Sequence, residues 1–155
     1  MENLDLIDRK ILGLLQNNAR ITMKEIAAAT GISTTPAYER VKRMERQGII
    51  KGYVTLLDKE RINRQLTVFC QVTLKSHSKP DIVKFEKHIF QFSEIMECYH
   101  TAGSFDYLLK IMVADMDAYQ KFIMEKLAET EAMAHFQSVF VMGDVKVETA
   151  FAMSE

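Results

Sequence analysis

The chain has 155 residues, 48% hydrophobic and 26% charged, with a formal net charge of −1, so one large domain or two small ones can each bury a core. No apolar run approaches the roughly 18 residues of a membrane span, and the start, Met1-Glu2-Asn3-Leu4-Asp5, lacks the basic and apolar segments of a secretory signal. Cys70 and Cys98 are far apart in apolar runs, which reads as free thiols in a reducing cytoplasm. Residues 1–64 carry +4 and residues 65–155 carry −5, so only the front of the chain suits a polyanion.

Leu4, Ile7, Ile11, Leu14 and Leu15 recur at helical spacing and predict a helix over Asp5–Gln16. Asp5 and Asp8 near its start favour the helix dipole. Thr22 and Glu25 have the spacing of a capping box that opens a second helix. Gly31 suits the left-handed position that closes it. Ser33 is placed to cap a third helix over Thr34–Gln47, with Pro36 in its first turn, where a missing N–H costs nothing. Val41 and Met44 face inward, and Thr34, Thr35, Tyr38, Glu39, Lys42, Arg43 and Arg46 face out. Helix, glycine-containing turn, then a helix with a polar and basic outer face is helix-turn-helix grammar. A three-helix unit that contacts only protein fits the same periodicity.

Residues 50–57 read as a short strand leaving this unit, and the polar stretch Asp58–Gln65 marks a boundary. The expected domains are therefore 1–52, a hinge and linker over 53–65, and 66–155. Leu66–Leu74 alternates with period two. A helix follows from Lys79 to Phe92, then strands at Ile95–Thr101 and Tyr107–Val113, a helix over Asp115–Leu127, a strand at Phe136–Met142, and a short fifth strand near Val145–Phe151. Two strand-helix-strand halves in one sheet give a ferredoxin-like β-α-β-β-α-β domain and an α+β chain overall. Helices then cover only one sheet face. The other, marked by Phe69, Met112 and Phe140, predicts self-association.

Three strings carry a resemblance over nearly the whole chain. They are Leu4-Asp5 with Asp8-Arg9-Lys10-Ile11-Leu12, Gly31-Ile32-Ser33-Thr34-Thr35-Pro36 followed by Glu39 to Ile50, and Gly103-Ser104-Phe105-Asp106-Tyr107-Leu108-Leu109-Lys110. Together they resemble the leucine-responsive regulator and AsnC ("feast/famine") family, nearest its leucine-responsive branch. The resemblance implies a winged helix-turn-helix, a hinge strand that pairs between subunits, a ferredoxin-like effector domain, and dimers that assemble into octamers or larger rings. Ser104 stands where that branch commonly has an acidic residue, and Ala102 where it has a small polar one. Both lie in the effector loop.

The expected function is a sequence-specific regulator binding double-stranded DNA and answering to an amino acid such as leucine or methionine. The alternatives are a nucleoid-type DNA-bridging protein without effector response, and a small enzyme on a ferredoxin-like sheet. For DNA, Ser33, Thr34, Thr35 and Tyr38 lie early in the third helix, within reach of base edges. Arg40, Lys42, Arg43 and Arg46 suit phosphates, with an ion pair to Glu39 or Asp8 as the competing role for Arg40. For the effector, backbone N–H groups around Gly103 suit a carboxylate and Asp106 suits an ammonium, with a turn-stabilising role as its alternative. The resemblance adds His100, Thr101, Tyr107, Met116 and the last strand at Val139 and Val141, the last from a neighbouring subunit. No HxxxH or CxxC spacing, P-loop, GxGxxG or nucleophile elbow occurs, so neither metal, cofactor nor catalytic site is expected.

Overall fold

A computed structural model describes residues 4–153. The chain forms two compact units: one holds the segments up to Leu56 and from Val145 on, the other Leu57–Asp144.

The first unit contains α1 (Leu6–Asn17), α2 (Met23–Thr30) and α3 (Thr34–Arg46). Asp5 caps α1 by a reciprocal box with Asp8, and Thr22 caps α2 by the same device with Glu25. These caps satisfy N–H groups that no helix can satisfy internally. Gly31 ends α2 at φ 74°, a left-handed turn that a side chain would strain. Ser33 occupies the N-cap of α3 but makes no side-chain capping bond, contrary to the expectation from its position. Ile11, Leu12, Leu15, Ile26, Ala27, Ala37, Val41 and Met44 form the core, with Ile32, Ile49, Ile50 and Met153 packed on it.

The second unit is an antiparallel four-stranded sheet of order β2-β3-β1-β4. Its strands are β1 (Leu66–Leu74), β2 (Ile95–His100), β3 (Tyr107–Val113) and β4 (Met133–Phe140). Helices α4 (Lys79–Ile89) and α5 (Met116–Phe122) complete the ferredoxin-like arrangement, and α5 runs on into a π-helical turn at Ile123–Leu127. Alternate residues of β1 and β3 (Val68, Cys70, Val72, Tyr107, Leu109, Ile111) are buried beneath Phe85, Ile89, Tyr119 and Phe122. The intervening residues, including Phe69, Leu108 and Met112, lie on the uncovered face.

Three expectations need correction. Phe140 pairs with Val68 and packs edge-on against Tyr119, so it belongs to the helix-covered face. Val139, opposite Phe69, stands on the open face instead. β4 begins at Met133 rather than Phe136 and is offset by a bulge at Thr73/Leu74. Residues 50–57 and 145–151 form no strand within the chain, because alternation selects a face but a ladder requires a neighbour. Val54, Leu56, Leu57, Val145 and Val147 are exposed.

Burial pushes the Cys70 thiol up to about 12, and Cys70 is fully buried whereas Cys98 is exposed. At pH 8 Cys70 is therefore held as the unreactive thiol. Iodoacetamide at that pH is expected to label Cys98 while Cys70 reacts only as the sheet unfolds, as followed by mass spectrometry across a urea series. Equal labelling rates in buffer would contradict this packing.

Candidate functional site: recognition helix and effector loop

The outer face of α3 divides into two parts. At its N-terminal end Ser33, Thr34, Thr35 and Tyr38 are all exposed. The Ser33 hydroxyl, which caps nothing, is open to other partners. Further along, the basic residues do not form a uniform cationic face. Arg40 reaches Asp5 at 2.6 Å and Asp8 at 2.8 Å, and Arg43 reaches the second oxygen of Asp8 at 2.5 Å. The Asp8 side chain is 1% exposed, so these bridges are the ion pairing a buried carboxylate requires. The ion pair between Arg40 and Asp8 is thus formed. The Asp8 amide holds the Asp5 carboxyl below its usual range, and Arg40 adds to the effect.

Lys42 is paired with Glu45 at 2.7 Å and stands over the Tyr38 ring at 5.7 Å. Glu45 also accepts the Tyr53 hydroxyl at 3.0 Å. Among the described residues, Arg46 is the one basic side chain of α3 without an ion-pair partner, and it is exposed.

In the second unit the loop between β2 and β3 is closed by its own hydrogen bonds. The Thr101 amide donates to the Asp106 carbonyl at 2.8 Å, and the Asp106 amide to the Val72 carbonyl at 2.9 Å. The Thr101 hydroxyl donates to the Phe105 carbonyl at 2.8 Å. Gly103 is at φ 155°, and a Cβ there would meet no atom within 4 Å, so one side of its backbone is open. Asp106 accepts the Leu74 amide on one carboxylate oxygen and pairs with His77 on the other, both at 2.8 Å. The Leu74 amide holds the Asp106 carboxyl below its usual range; burial opposes this and His77 reinforces it.

His100 stacks on the Tyr107 ring, centroids 4.7 Å apart. The buried Tyr107 hydroxyl donates to Glu86 at 2.9 Å, and its phenol is raised well above the ordinary range by burial and that carboxylate. These groups line a groove of about 770 Å³ between α4 and β2, together with Phe90, Met96 and Cys98. Glu86 and His77 were absent from the sequence-based set. Only the fold brings them to this loop, and no local spacing signals them.

The remaining effector candidates lie elsewhere in the chain. Val139 is opposite Phe69, the Val141 amide donates to Thr67, and Tyr107 is opposite Val72. Thr67 and Val72 are therefore separated by about 17 Å of strand. Met116, 52% exposed, follows the far end of β3. Within one chain, then, His100, Thr101, Gly103, Asp106 and Tyr107 are assembled, and Met116, Val139 and Val141 are not with them. Among the described residues no cluster of His, Cys, Asp or Glu could hold a metal, and no helix is long and apolar enough to cross a membrane.

Residues 4–51 match a winged helix-turn-helix DNA-binding domain, and residues 67–151 match the Lrp/AsnC ligand-binding domain. The chain belongs to the Lrp/AsnC family of transcriptional regulators. It is 41% identical to the leucine-responsive regulatory protein of Escherichia coli K12, over 94% of this chain and 88% of that one. Among Lrp/AsnC structures, it superposes on a transcriptional regulator of Neisseria meningitidis in complex with L-methionine with a TM-score of 0.92, at 31% identity and 97% coverage of both chains. An AsnC family regulator of Agrobacterium tumefaciens gives 0.91 at 34% identity, covering 96% of each. The α+β fold read from the sequence is that of these Lrp/AsnC regulators.

Since Arg40 neutralises a buried carboxylate and Arg46 is in water, their substitutions separate. Arg40→Ala is expected to lower stability by about 1–3 kcal/mol, and Arg46→Ala by less than about 0.5 kcal/mol, in urea denaturation followed by circular dichroism. Equal losses would remove Asp8 as the fastener of α3.

Proposed function

We propose that this Lrp/AsnC regulator binds duplex DNA through the exposed face of α3 and changes its assembly and DNA affinity when a small apolar amino acid binds the second unit. The observation that carries the reading is the composition of α3. A polar, uncapped first turn precedes an exposed Arg46, on a helix fastened from behind by Asp8. Ser33, Thr34, Thr35 and Tyr38 read base edges in the major groove. Arg46 and Lys42 contact phosphates. Arg40 and Arg43 set the pose of the helix through Asp8, and Arg43, 41% exposed, keeps donors for a phosphate.

The L-methionine complex of the Neisseria relative supports an amino-acid effector, with methionine and leucine as the first candidates. Backbone N–H groups at Gly103 take the carboxylate and Asp106 takes the ammonium. His100, Thr101 and Tyr107 frame them. Met116, Val139 and Val141 belong to the same site only if a second copy supplies them. The separation of about 17 Å along the sheet therefore supports a site completed by self-association. Pairing through the open sheet face gives a closed dimer, and four such dimers form the octamer expected of the family only through a further surface. The protein acts in the cytoplasm and is not an enzyme. A DNA-bridging protein without effector response is the second reading, favoured by the pairing of Asp106 with His77 and Leu74.

Arg46→Ala is expected to weaken every duplex alike and to lower the slope of log affinity against log salt by about one, measured by fluorescence anisotropy. An unchanged slope would take Arg46 out of the contact set. Asp106→Ala is expected to abolish L-methionine binding in a calorimetric titration. Heats identical to those of the wild type would take Asp106 out of the site, and no heat from the wild type itself would favour the bridging reading.

A further inference from the structure

Asp106 is tied by four hydrogen bonds, of which one is of a different kind from the rest. Its amide, its carbonyl and one carboxylate oxygen are all held by backbone groups, Val72, Thr101 and Leu74 respectively, at 2.8–2.9 Å. These bonds are part of the sheet end and fix the residue in place. The second carboxylate oxygen, Oδ1, is held by a side chain alone, the Nε2 of His77 at 2.8 Å. The Asp106 side chain is 19% exposed and that of His77 66% exposed. A mostly buried, rigidly mounted carboxylate is thus covered on its single outward oxygen by a solvated imidazole that can rotate away.

We infer that His77 is a competing residue for the effector's ammonium: it presents to Asp106 Oδ1 the N–H that an amino acid would present, and must be displaced for the amino acid to bind. The inference rests on the assignment of Asp106 as the ammonium partner. A carboxylate oxygen can accept more than one donor, but an imidazolium and an ammonium on one oxygen repel each other. Binding therefore favours neutral or displaced His77, and protonation of His77 strengthens its hold on the carboxylate. The amino acid stays an ammonium throughout the range in which histidine titrates. Its affinity accordingly falls as pH drops through that range.

The other charged groups around this pair do not produce the same dependence through His77. Lys75 and Lys79 lie on either side of it in the chain. Asp81 is tied to the Ser78 hydroxyl at 2.7 Å. His100, at the end of β2, is the second imidazole acting on Asp106, and it remains in place when His77 is changed.

The test is a calorimetric titration of the full-length protein with L-methionine between pH 5.5 and 8, on wild type, His77→Ala, His77→Gln and Asp106→Ala. His77 is exposed, so neither of its variants threatens the fold. His77→Ala is expected to bind L-methionine about three- to tenfold more tightly than wild type at pH 6, the worth of one displaced hydrogen bond. The wild type is expected to lose affinity toward pH 5.5, and both His77 variants to lose most of that dependence. Weaker binding by His77→Ala, or an affinity and pH profile like those of wild type, would overturn the inference while leaving the site reading intact, provided Asp106→Ala no longer binds. Binding by Asp106→Ala equal to wild type, or none by wild type, would overturn the site reading and with it the role of His77.

Discussion

Burial of Val68, Cys70, Val72, Leu109 and Ile111 beneath α4 and α5 leaves the opposite face of the same sheet with an exposed Val139 and half-buried Phe69, Leu108 and Met112. A ferredoxin-like sheet has no further helix to cover them, and apolar side chains left on an uncovered face, here interspersed with Gln71, Lys110 and Gln137, favour a covering partner. A second copy offers the same face, so two-fold pairing would remove both from solvent at once. The effector candidates are subject to the same constraint. One group sits on the β2–β3 loop and the other toward the far end of β3 and on β4, and strand length fixes their separation. On the proposed reading, association would bring complementary ends together, and ligand occupancy would then be linked to assembly without requiring a change within the sheet.

The DNA-binding unit solves a different problem. Eight buried apolar residues make a small core, and small cores hold little free energy in reserve. A carboxylate buried inside such a unit would be costly alone; held by two guanidinium groups from α3, it becomes a fastener between α1 and the recognition helix. The consequence is that positive charge on α3 is not equivalent from residue to residue. Arg40 is engaged behind the helix, Lys42 is shared with Glu45, and Arg46 faces solvent. Ion-paired and unpaired basic side chains thus share one helix, a division that counting Lys and Arg conceals.

What the sequence made legible follows the range of the interactions. The Thr22–Glu25 box and the left-handed Gly31 are local, set by residues three apart or by one φ angle, and both are present as expected. β1 and β3 were readable because each is flanked on both sides by neighbours, so the alternation of buried residues is complete. The edges were not. Phe140 lies on the helix-covered face because it is opposite the buried Val68, which puts Val139 on the open face, and one strand's alternation alone does not say which of its faces is covered. Residues 50–57 and 145–151 alternate yet make no ladder in a single chain. Ser33 stands at an N-cap without bonding there. The pairing of Arg40 with Asp8 spans 32 residues, so sequence offered it only as one of several roles. Glu86 and His77 come from α4 and the loop before it, and nothing near residues 100–107 marks them.

The account depends on the open sheet face being covered by another copy in a manner that the effector can sense. Light scattering coupled to size-exclusion chromatography, with and without L-methionine, measures this directly. The mass should be at least twice the 17.8 kDa of one chain, and the distribution of larger species should change when the amino acid is added. A single species of 17.8 kDa under both conditions would contradict it.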